Sequence, residues 1–544
     1  MVSANTAAMP DVIFLSQSQM VRFEDYDHMP LERVELYQNL VQLRSAYFAG
    51  GFKSHLDLIN IARSGKTFHE SDVSSERREL LDIWQLPGLN GILVASQLLK
   101  HGFSTGIINH VDAEWDRLEA LYKNSKSPPL VAISTTFHLN YSEIRRLTKR
   151  LRALDPNVKI VVGGAFINEQ TINGTVPEFE QSMRKYGIQY VLHGFNSESD
   201  LIWLVKSLKS GSDLDKVPNL AWVDDEGRFG MSKAIWHNPT LGAGSVLWDK
   251  LDLPFLNKTV QLRTASGCPF DCSFCSYPET AGGHFATDTA GVKAELDRIS
   301  RLSGIEQVIF IDDTFNVPIK RFKEILKIVQ PYGLRWYSFL RCQYIDDYQA
   351  RLMMDSGCAG VYLGIESAND EILKNMHKRA SKADFQRGIE LLRKYDIPTF
   401  VALVIGFPGE TEETIEEGIK FIDDNEIDFY SLKEFYYMPH TTVHKERDRF
   451  GLTGMGSDWC HDTMSSSRAS EMKLEMFKRI KNSVYIDADT SLWYIAYLRD
   501  QGFGLAQIKD AQRIINRMMS RDNDSRYHDK DDLMLQLKKV VNGN

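Results

Sequence analysis

Short, uninterrupted apolar runs rich in β-branched residues recur along the chain, and amphipathic stretches fill the intervals between them. Val12-Ile13-Phe14-Leu15-Ser16 is the first such run, and its lack of polar alternation predicts a strand covered on both faces. Residues 17–85 interrupt the pattern: a helical periodicity over 31–47 lies among polar turns, which reads as an insertion. Regularity returns at Leu86-Pro87-Gly88-Leu89. A helix is predicted over 90–100, stopped at His101-Gly102. Strands are predicted over 105–109, 130–134, 159–164 and 189–194, with a helix over 142–154 among them. Such alternation predicts a parallel sheet wound by helices on both sides.

Residues 218–229 read as a hairpin about an Asp-Asp-Glu-Gly turn, and 233–258, with scattered Pro and Gly and little periodicity, as a connector. Six further strand-like runs follow, over 260–264, 307–311, 335–340, 360–365, 399–405 and 429–432, with helices between. They predict a partial (β/α)6 barrel, two units short of closure. Helical patterns near 470–484, 491–498 and 505–518 end in mixed charge at 521–532 and are expected to cap the open barrel. The fold class is therefore α/β. The expected domains are 1–215 with the insertion, 216–259 as hairpin and linker, 260–435 as barrel, and 436–544 as a mostly helical capping region.

In parallel α/β sheets, ligands sit beyond the carboxyl ends of the strands, so strand ends are where candidate chemistry is sought. The first sheet offers Ser134, Thr135, Gly163, Gly164, Gly194 and Glu198 on one rim. The barrel offers Asp312, Asp313, Arg341, Glu366, Ser367 and Ile405. Taken singly, each glycine is as readily a turn residue, and each charge a strand-end ion pair.

Composition narrows the functional classes. At 544 residues the chain exceeds one ordinary core. Its formal charge is −9 and no basic block tracks a phosphate backbone, so nucleic acid is not an expected partner. The first residues lack the charged and apolar segments of a leader, and no apolar run approaches the ~20 residues needed to span a bilayer. A cytoplasmic location without a membrane partner is expected, and six cysteines without a disulfide pattern agree with it.

Three of those cysteines lie in one stretch, Gly267-Cys268-Pro269-Phe270-Asp271-Cys272-Ser273-Phe274-Cys275, spaced C-x3-C-x2-C. A structural zinc site closes with four ligands, and His284 or a remote cysteine is available to complete one. Three cysteines on a [4Fe-4S] cluster instead leave one iron open to a ligand that is not protein. With the aromatic Phe274 before the last cysteine and a strand just upstream, the stretch resembles the signature of the radical S-adenosylmethionine (SAM) superfamily. That resemblance implies Cys268, Cys272 and Cys275 on the cluster, and SAM on the fourth iron, split by one electron to a 5'-deoxyadenosyl radical. It further implies SAM contacts from Asp312, Asp313, Arg341, Glu366, Ser367 and the backbone near Ile405, and an external one-electron donor of flavodoxin or ferredoxin type.

The preceding sheet, with the Pro87-Gly88-Leu89 helix entry, the Val162-Gly163-Gly164 turn and Gly194-x3-Glu198, resembles the Rossmann-like cobalamin-binding domain of cobalamin-dependent radical SAM enzymes. None of the fourteen histidines has an aspartate two residues before it, so the resemblance implies cobalamin held without a histidine ligand. What it implies as activity is methylation of an unactivated centre on a small-molecule substrate, using methylcobalamin and a second SAM. The length, the early strand with its insertion and Trp459-x-His461-x-Thr463-Met464 resemble, more finely, the phosphinate P-methyltransferases of antibiotic biosynthesis, with His461 as the candidate catalytic residue. A carbon methyltransferase of another natural-product pathway, a cyclase using the same cofactors, and a cobalamin and cluster sensor are the alternatives.

Overall fold

The computed structural model describes residues 10–20, 22–23, 41–66, 78–125, 127–486, 491–520 and 530–543. The first sheet has seven strands: β1 Val12–Gln17, β2 Thr105–His110, β3 Leu130–Ser134, β4 Ile160–Gly163, β5 Tyr190–Leu192, β6 Leu220–Val223 and β7 Phe229–Met231. Their order is β2-β1-β3-β4-β5-β6-β7. The first five run parallel, and β6 and β7 add on antiparallel. The expected hairpin is thus the edge of this sheet.

Alternation along the strands explains the two-sided winding. Ile13, Leu15, Val131, Ile133 and Val162 enter one core with the helices Ser142–Leu154 and Val176–Tyr186. Val12, Phe14, Ala132, Val161 and Leu192 enter another with the helices Leu89–Lys100 and Glu198–Ser210. A strand covered on both faces needs apolar residues at both parities, which is why these runs carry no polar alternation.

The second sheet is wholly parallel: β8 Thr259–Leu262, β9 Gln307–Phe310, β10 Arg335–Leu340, β11 Cys358–Glu366, β12 Thr399–Ile405, β13 Phe429–Glu434 and β14 Val484–Tyr485, in that order. The first six are the expected barrel strands. The seventh, two residues long, pairs with the start of β13.

The helix Ser491–Asp500 closes the end of the barrel where the strands begin. Thr259 Oγ1 donates to Asp500 Oδ1 at 2.9 Å, and Gln307 Nε2 donates to the Ala496 carbonyl at 3.1 Å. Tyr497 reaches into the insertion, donating to Gln85 Oε1 at 2.7 Å and accepting from the Asp82 amide at 2.9 Å.

The helical pattern over 31–47 falls mostly outside the described residues. Its end is a strand, Ser45–Phe48, paired with Gly51–Ser54, and the helix His55–Ser64 follows. These pieces pack on the carboxyl-terminal helices, with His55 Nδ1 3.0 Å from Gln512 Nε2 and Lys530 Nζ donating to the Tyr47 carbonyl at 3.0 Å. Most of the mixed-charge stretch 521–532 also lies outside the described residues.

The connector fixes the two sheets to each other. Gln97 Nε2 donates to the Ser245 carbonyl and the Leu247 amide to Ser96 Oγ, both on the first domain's helix Leu89–Lys100. On the barrel side, the helix Thr289–Ile299 supplies Glu295, which accepts from the Gly244 amide, and Arg298, which donates to the Val246 carbonyl. Val246 and Trp248 are buried between them.

Candidate functional site

The cysteine loop leaves the barrel sheet just beyond β8. Gly267 has φ +80°, and a Cβ there would lie 1.8 Å from the Gly283 carbonyl oxygen, so only glycine permits the turn. The loop is pinned at its centre: the Ser273 amide and hydroxyl donate to the Met376 and Asn375 carbonyls, and the Ser273 carbonyl accepts from the Val443 amide. Phe274 meets Phe407 edge-on, with centroids 6.3 Å apart, which brings the turn after β12 against the cysteines.

All three thiols are unpaired. Burial pushes the Cys275 thiol up to about 11, with the Cys272 and Cys268 sulfurs adding to the shift, so the three share one electrostatic neighbourhood. A thiol that resists ionisation at neutral pH needs a metal's charge to hold it as thiolate. Arg341 Nη2 lies 2.9 Å from Cys272 Sγ, a cation placed to compensate such a charge. Among the described residues no three His, Cys, Asp or Glu side chains gather tightly enough for a single metal ion. The donor set fits a cluster with three protein thiolates.

Around the loop, the barrel's strand ends carry charge, and each charge is tied. Asp312, after β9, accepts from the Thr264 amide at 2.6 Å and from its hydroxyl; burial raises its carboxyl above the usual range. Asp313 is raised to about 6 by burial, opposed by a hydrogen bond from the Tyr277 hydroxyl and with the Asp312 charge adding. Arg341 stacks 3.6 Å over Phe270 and also donates to the Lys378 carbonyl. Glu366 ends β11 at φ +68° and accepts from buried Lys378 Nζ at 2.9 Å. Ser367 is buried and accepts from the Asn369 amide. The Ile405 carbonyl pairs with the Phe435 amide. Glu410, wholly buried in the turn after β12, is pushed up to about 8 by burial, against hydrogen bonds from the Gly406 and Phe407 amides.

His461 lies in a small sheet of Thr453–Met455, Asp458–His461 and Met464–Ser465. Its Nε2 donates to the Gly406 carbonyl at 3.1 Å, its Nδ1 faces Thr463 Oγ1 at 3.1 Å, and its ring stacks on Trp459. Nε2 thus holds the Gly406 turn, and Nδ1 is engaged within the small sheet itself.

The first domain's rim is of another kind. Ser134, Gly163, Gly164, Gly194 and Glu198 line a cavity of about 370 Å³ that runs between the sheet and the helices Leu89–Lys100 and Glu198–Ser210. Gly164 has φ +109°, and a Cβ there would crowd the Thr135 and Thr136 amides at 3.0 and 3.1 Å. Pro87, Gly88 and Thr135 stand behind this lining. Gly88 caps the helix Leu89–Lys100 and donates to Asn109 Oδ1; a side chain there would strike Ser16. Thr135 Oγ1 donates to the Gly163 carbonyl. The cavity is lined by apolar side chains (Phe14, Leu93, Val161, Leu201) together with the three glycines, a space of a size that suits the tail of a larger ligand lying across the rim.

The two rims share this cavity, since Arg263, Tyr277 and Ile311 of the barrel complete its wall. It adjoins a second space of about 1170 Å³ at Ala165, Asn168, Gly194, Phe195 and Tyr277. That larger space runs past Ser276, next to Cys275, and out between Trp236 and His440. The sequence pattern does not single out Arg263, Tyr277, Asn168 or His193, whose Nε2 is buried without a partner among the described residues. Tyr277 was readable, since it follows the last cysteine by two positions; nothing local marks the others.

Comparison with known proteins agrees with this anatomy. Residues 262–422, within the second domain, match the model of the radical SAM superfamily. An uncharacterized methyltransferase of Pyrococcus horikoshii is 28% identical over 313 residues, 56% of this chain and 65% of that protein. The radical SAM methyltransferase TsrM of Kitasatospora setae, solved with cobalamin and a [4Fe-4S] cluster bound, superposes with a TM-score of 0.53 at 18% identity, covering 66% of this chain and 74% of TsrM. The cobalamin-dependent radical enzyme OxsB, solved with aqua-cobalamin and SAM, gives 0.52 at 15% identity, covering 91% of this chain and 61% of OxsB. These likenesses show the fold alone: a doubly wound α/β domain joined to a partial β/α barrel.

Proposed function

We propose that the protein is a cobalamin-dependent radical SAM methyltransferase that methylates an unactivated centre of a small natural-product intermediate, either a phosphinate phosphorus or an sp3 carbon. The observation that carries this reading is the shared cavity, in which the glycine rim of one sheet faces the cysteine end of the other across a gap lined by both. When bound, the cluster and SAM supply one-electron cleavage and hydrogen abstraction, and the corrinoid supplies the methyl group.

The chain's own residues bind, orient and exclude water. Cys268, Cys272 and Cys275 would hold the cluster, with Arg341 stabilising the thiolate at Cys272. Glu366 and its Lys378 partner stand where an aminoacyl group would be read. Gly163, Gly164 and Gly194 leave the rim bare of side chains so that a macrocycle can approach the backbone. The acceptor would enter through the larger space beside Ser276. His461 holds the Gly406 turn and acts as a positioning residue. An external one-electron donor of flavodoxin or ferredoxin type and a cytoplasmic setting complete the reading; among the described residues no helix is long and apolar enough to cross a membrane.

The test is anaerobic reconstitution with iron, sulfide and hydroxocobalamin, then incubation with SAM, a reductant and candidate phosphinates. The expected product is one methyl group heavier and accompanied by both S-adenosylhomocysteine and 5'-deoxyadenosine. A product of altered mass without the methyl group would instead make the protein a cyclase, and SAM cleavage that stops after one event would make it a sensor.

A further inference from the structure

Where the two cavities meet, one cation has no partner for its best donors. Arg263 follows β8 directly and is, among the described residues, the only Lys, Arg or His lining the 370 Å³ cavity. Its Nε and Nη2 atoms are buried with no hydrogen-bond partner among the described residues. Asp313, the carboxylate in Coulombic range, takes its hydrogen bond from the Tyr277 hydroxyl and leaves the guanidinium's donors open. A buried donor without an acceptor is costly, and more so when it is charged, so an arginine in this state marks a place where a ligand's acceptor is missing.

The geometry of the two open atoms specifies the acceptor. Nε–H and the Nη2–H beside it project in the same direction and form the side-on edge of the guanidinium fork. That edge matches two oxygens on one centre, as in a carboxylate or a phosphinate. A neutral or cationic group would leave the fork as unsatisfied as it is now. Arg263 neighbours Tyr277, which lines both cavities, so a ligand group held there would lie at the junction and the rest of its molecule would extend into the larger space.

We propose that Arg263 is the anchor for a two-oxygen anionic group, carboxylate or phosphinate, on the methyl-accepting substrate. This rests on the proposed methyl transfer for the identity of the occupant. A corrinoid also carries such a group, in its nucleotide phosphodiester, and the experiment separates the two sources.

Methylphosphinate and acetate are titrated calorimetrically into the protein reconstituted with cluster and hydroxocobalamin, as wild type, Arg263→Gln and Arg263→Lys. At least one probe should bind the wild type saturably. Arg263→Gln should weaken that binding by at least tenfold and Arg263→Lys by less, since lysine keeps the charge but not the fork. Corrinoid content and the cluster's visible absorption should be retained in both variants, which separates loss of an anion site from loss of the fold or of a corrinoid contact. Unchanged probe affinity in Arg263→Gln, or no saturable binding by the wild type, would overturn the assignment. So would loss of corrinoid from both variants, which would give the arginine to the corrinoid's phosphodiester. If the wild type takes up no corrinoid yet binds the probes through Arg263, the methyltransferase reading fails and the anion site stands.

Discussion

The two rims that face each other across the shared cavity solve the problem of holding a cofactor in opposite ways. The first domain's rim is nearly free of charge: Gly163, Gly164 and Gly194 line the cavity, and among the described residues Glu198 is the one charged residue that rim brings to it. The barrel instead brings charge to its rim and ties most of it down, Asp312 to Thr264, Asp313 to Tyr277, Glu366 to Lys378 and Arg341 to Cys272, with Arg263 left open. A large ligand of low charge is recognised by shape and backbone approach. A zwitterion beside an anionic cluster needs preorganised poles in a dry site. The contrast predicts that the first rim is sensitive to added volume and the second to lost ligands and charges.

The largest effect is expected on the barrel side. Cys272→Ala should abolish the cluster's broad visible absorption and all 5'-deoxyadenosine formation, while circular dichroism stays that of the wild type. Cluster absorption that survives would break the assignment of this rim at its centre.

On the opposite rim the equivalent blow is a side chain where there is none. Gly163 has ordinary backbone geometry, and a Cβ there meets only the Leu192 carbonyl oxygen at 3.5 Å and Leu192 Cβ at 3.7 Å. Gly163→Leu should therefore fold, project into the mouth of the cavity and lower corrinoid retention by at least tenfold, measured by absorbance after desalting. Cluster content should not change. Full corrinoid retention would mean that the macrocycle does not lie on this rim.

The comparison also explains what the sequence discloses. Strands of both sheets were legible because burial on both faces forces apolar residues at consecutive positions, as at Val12 to Leu15, and the cysteine spacing was legible because the ligands come from one loop. The antiparallel addition of Leu220–Val223 to β5 was not, since pairing is a tertiary choice that a hairpin's own sequence leaves open. Val484–Tyr485 is too short to carry a pattern at all. Arg263 sits in a run that reads as plain strand, Val260 to Thr264, and only the folded arrangement reveals that two of its donors are buried without acceptors among the described residues.

A smaller effect sharpens the claim that the barrel's charges are held by their surroundings. Burial lifts Glu410 from the ordinary 4.5 to about 8, so the folded protein retains a proton that the unfolded chain has released. The stabilisation is complete below the unfolded value and is lost as pH climbs through the folded one. Wild type should lose about 2 kcal/mol more stability than Glu410→Gln between pH 6 and pH 9, read from denaturant midpoints at each pH. Parallel pH profiles for the two proteins would place a charged carboxylate in the turn.

The finest test concerns His461, which the sequence offers as a catalytic residue and the structure wires to a turn. Its Nε2–H donor serves the Gly406 carbonyl, Nδ1 serves Thr463, and the ring lies 5.2 Å from Trp459 at an interplanar angle of 4°. Burial lowers its affinity for a proton, against the pull of the Gly406 hydrogen bond, which favours the neutral ring that this wiring requires. Glutamine can keep the donor to Gly406 and forfeits the stack and the Thr463 contact, so His461→Gln should cost about 1 kcal/mol of stability. If the histidine only positions the turn, methyl transfer per bound cluster persists within a few-fold and its pH dependence does not move. If turnover collapses while cluster, corrinoid and stability all hold, the imidazole must reach the substrate in a conformation in which it lets go of Gly406. The barrel rim would then contain, beside Arg263, a second group that is poised rather than tied.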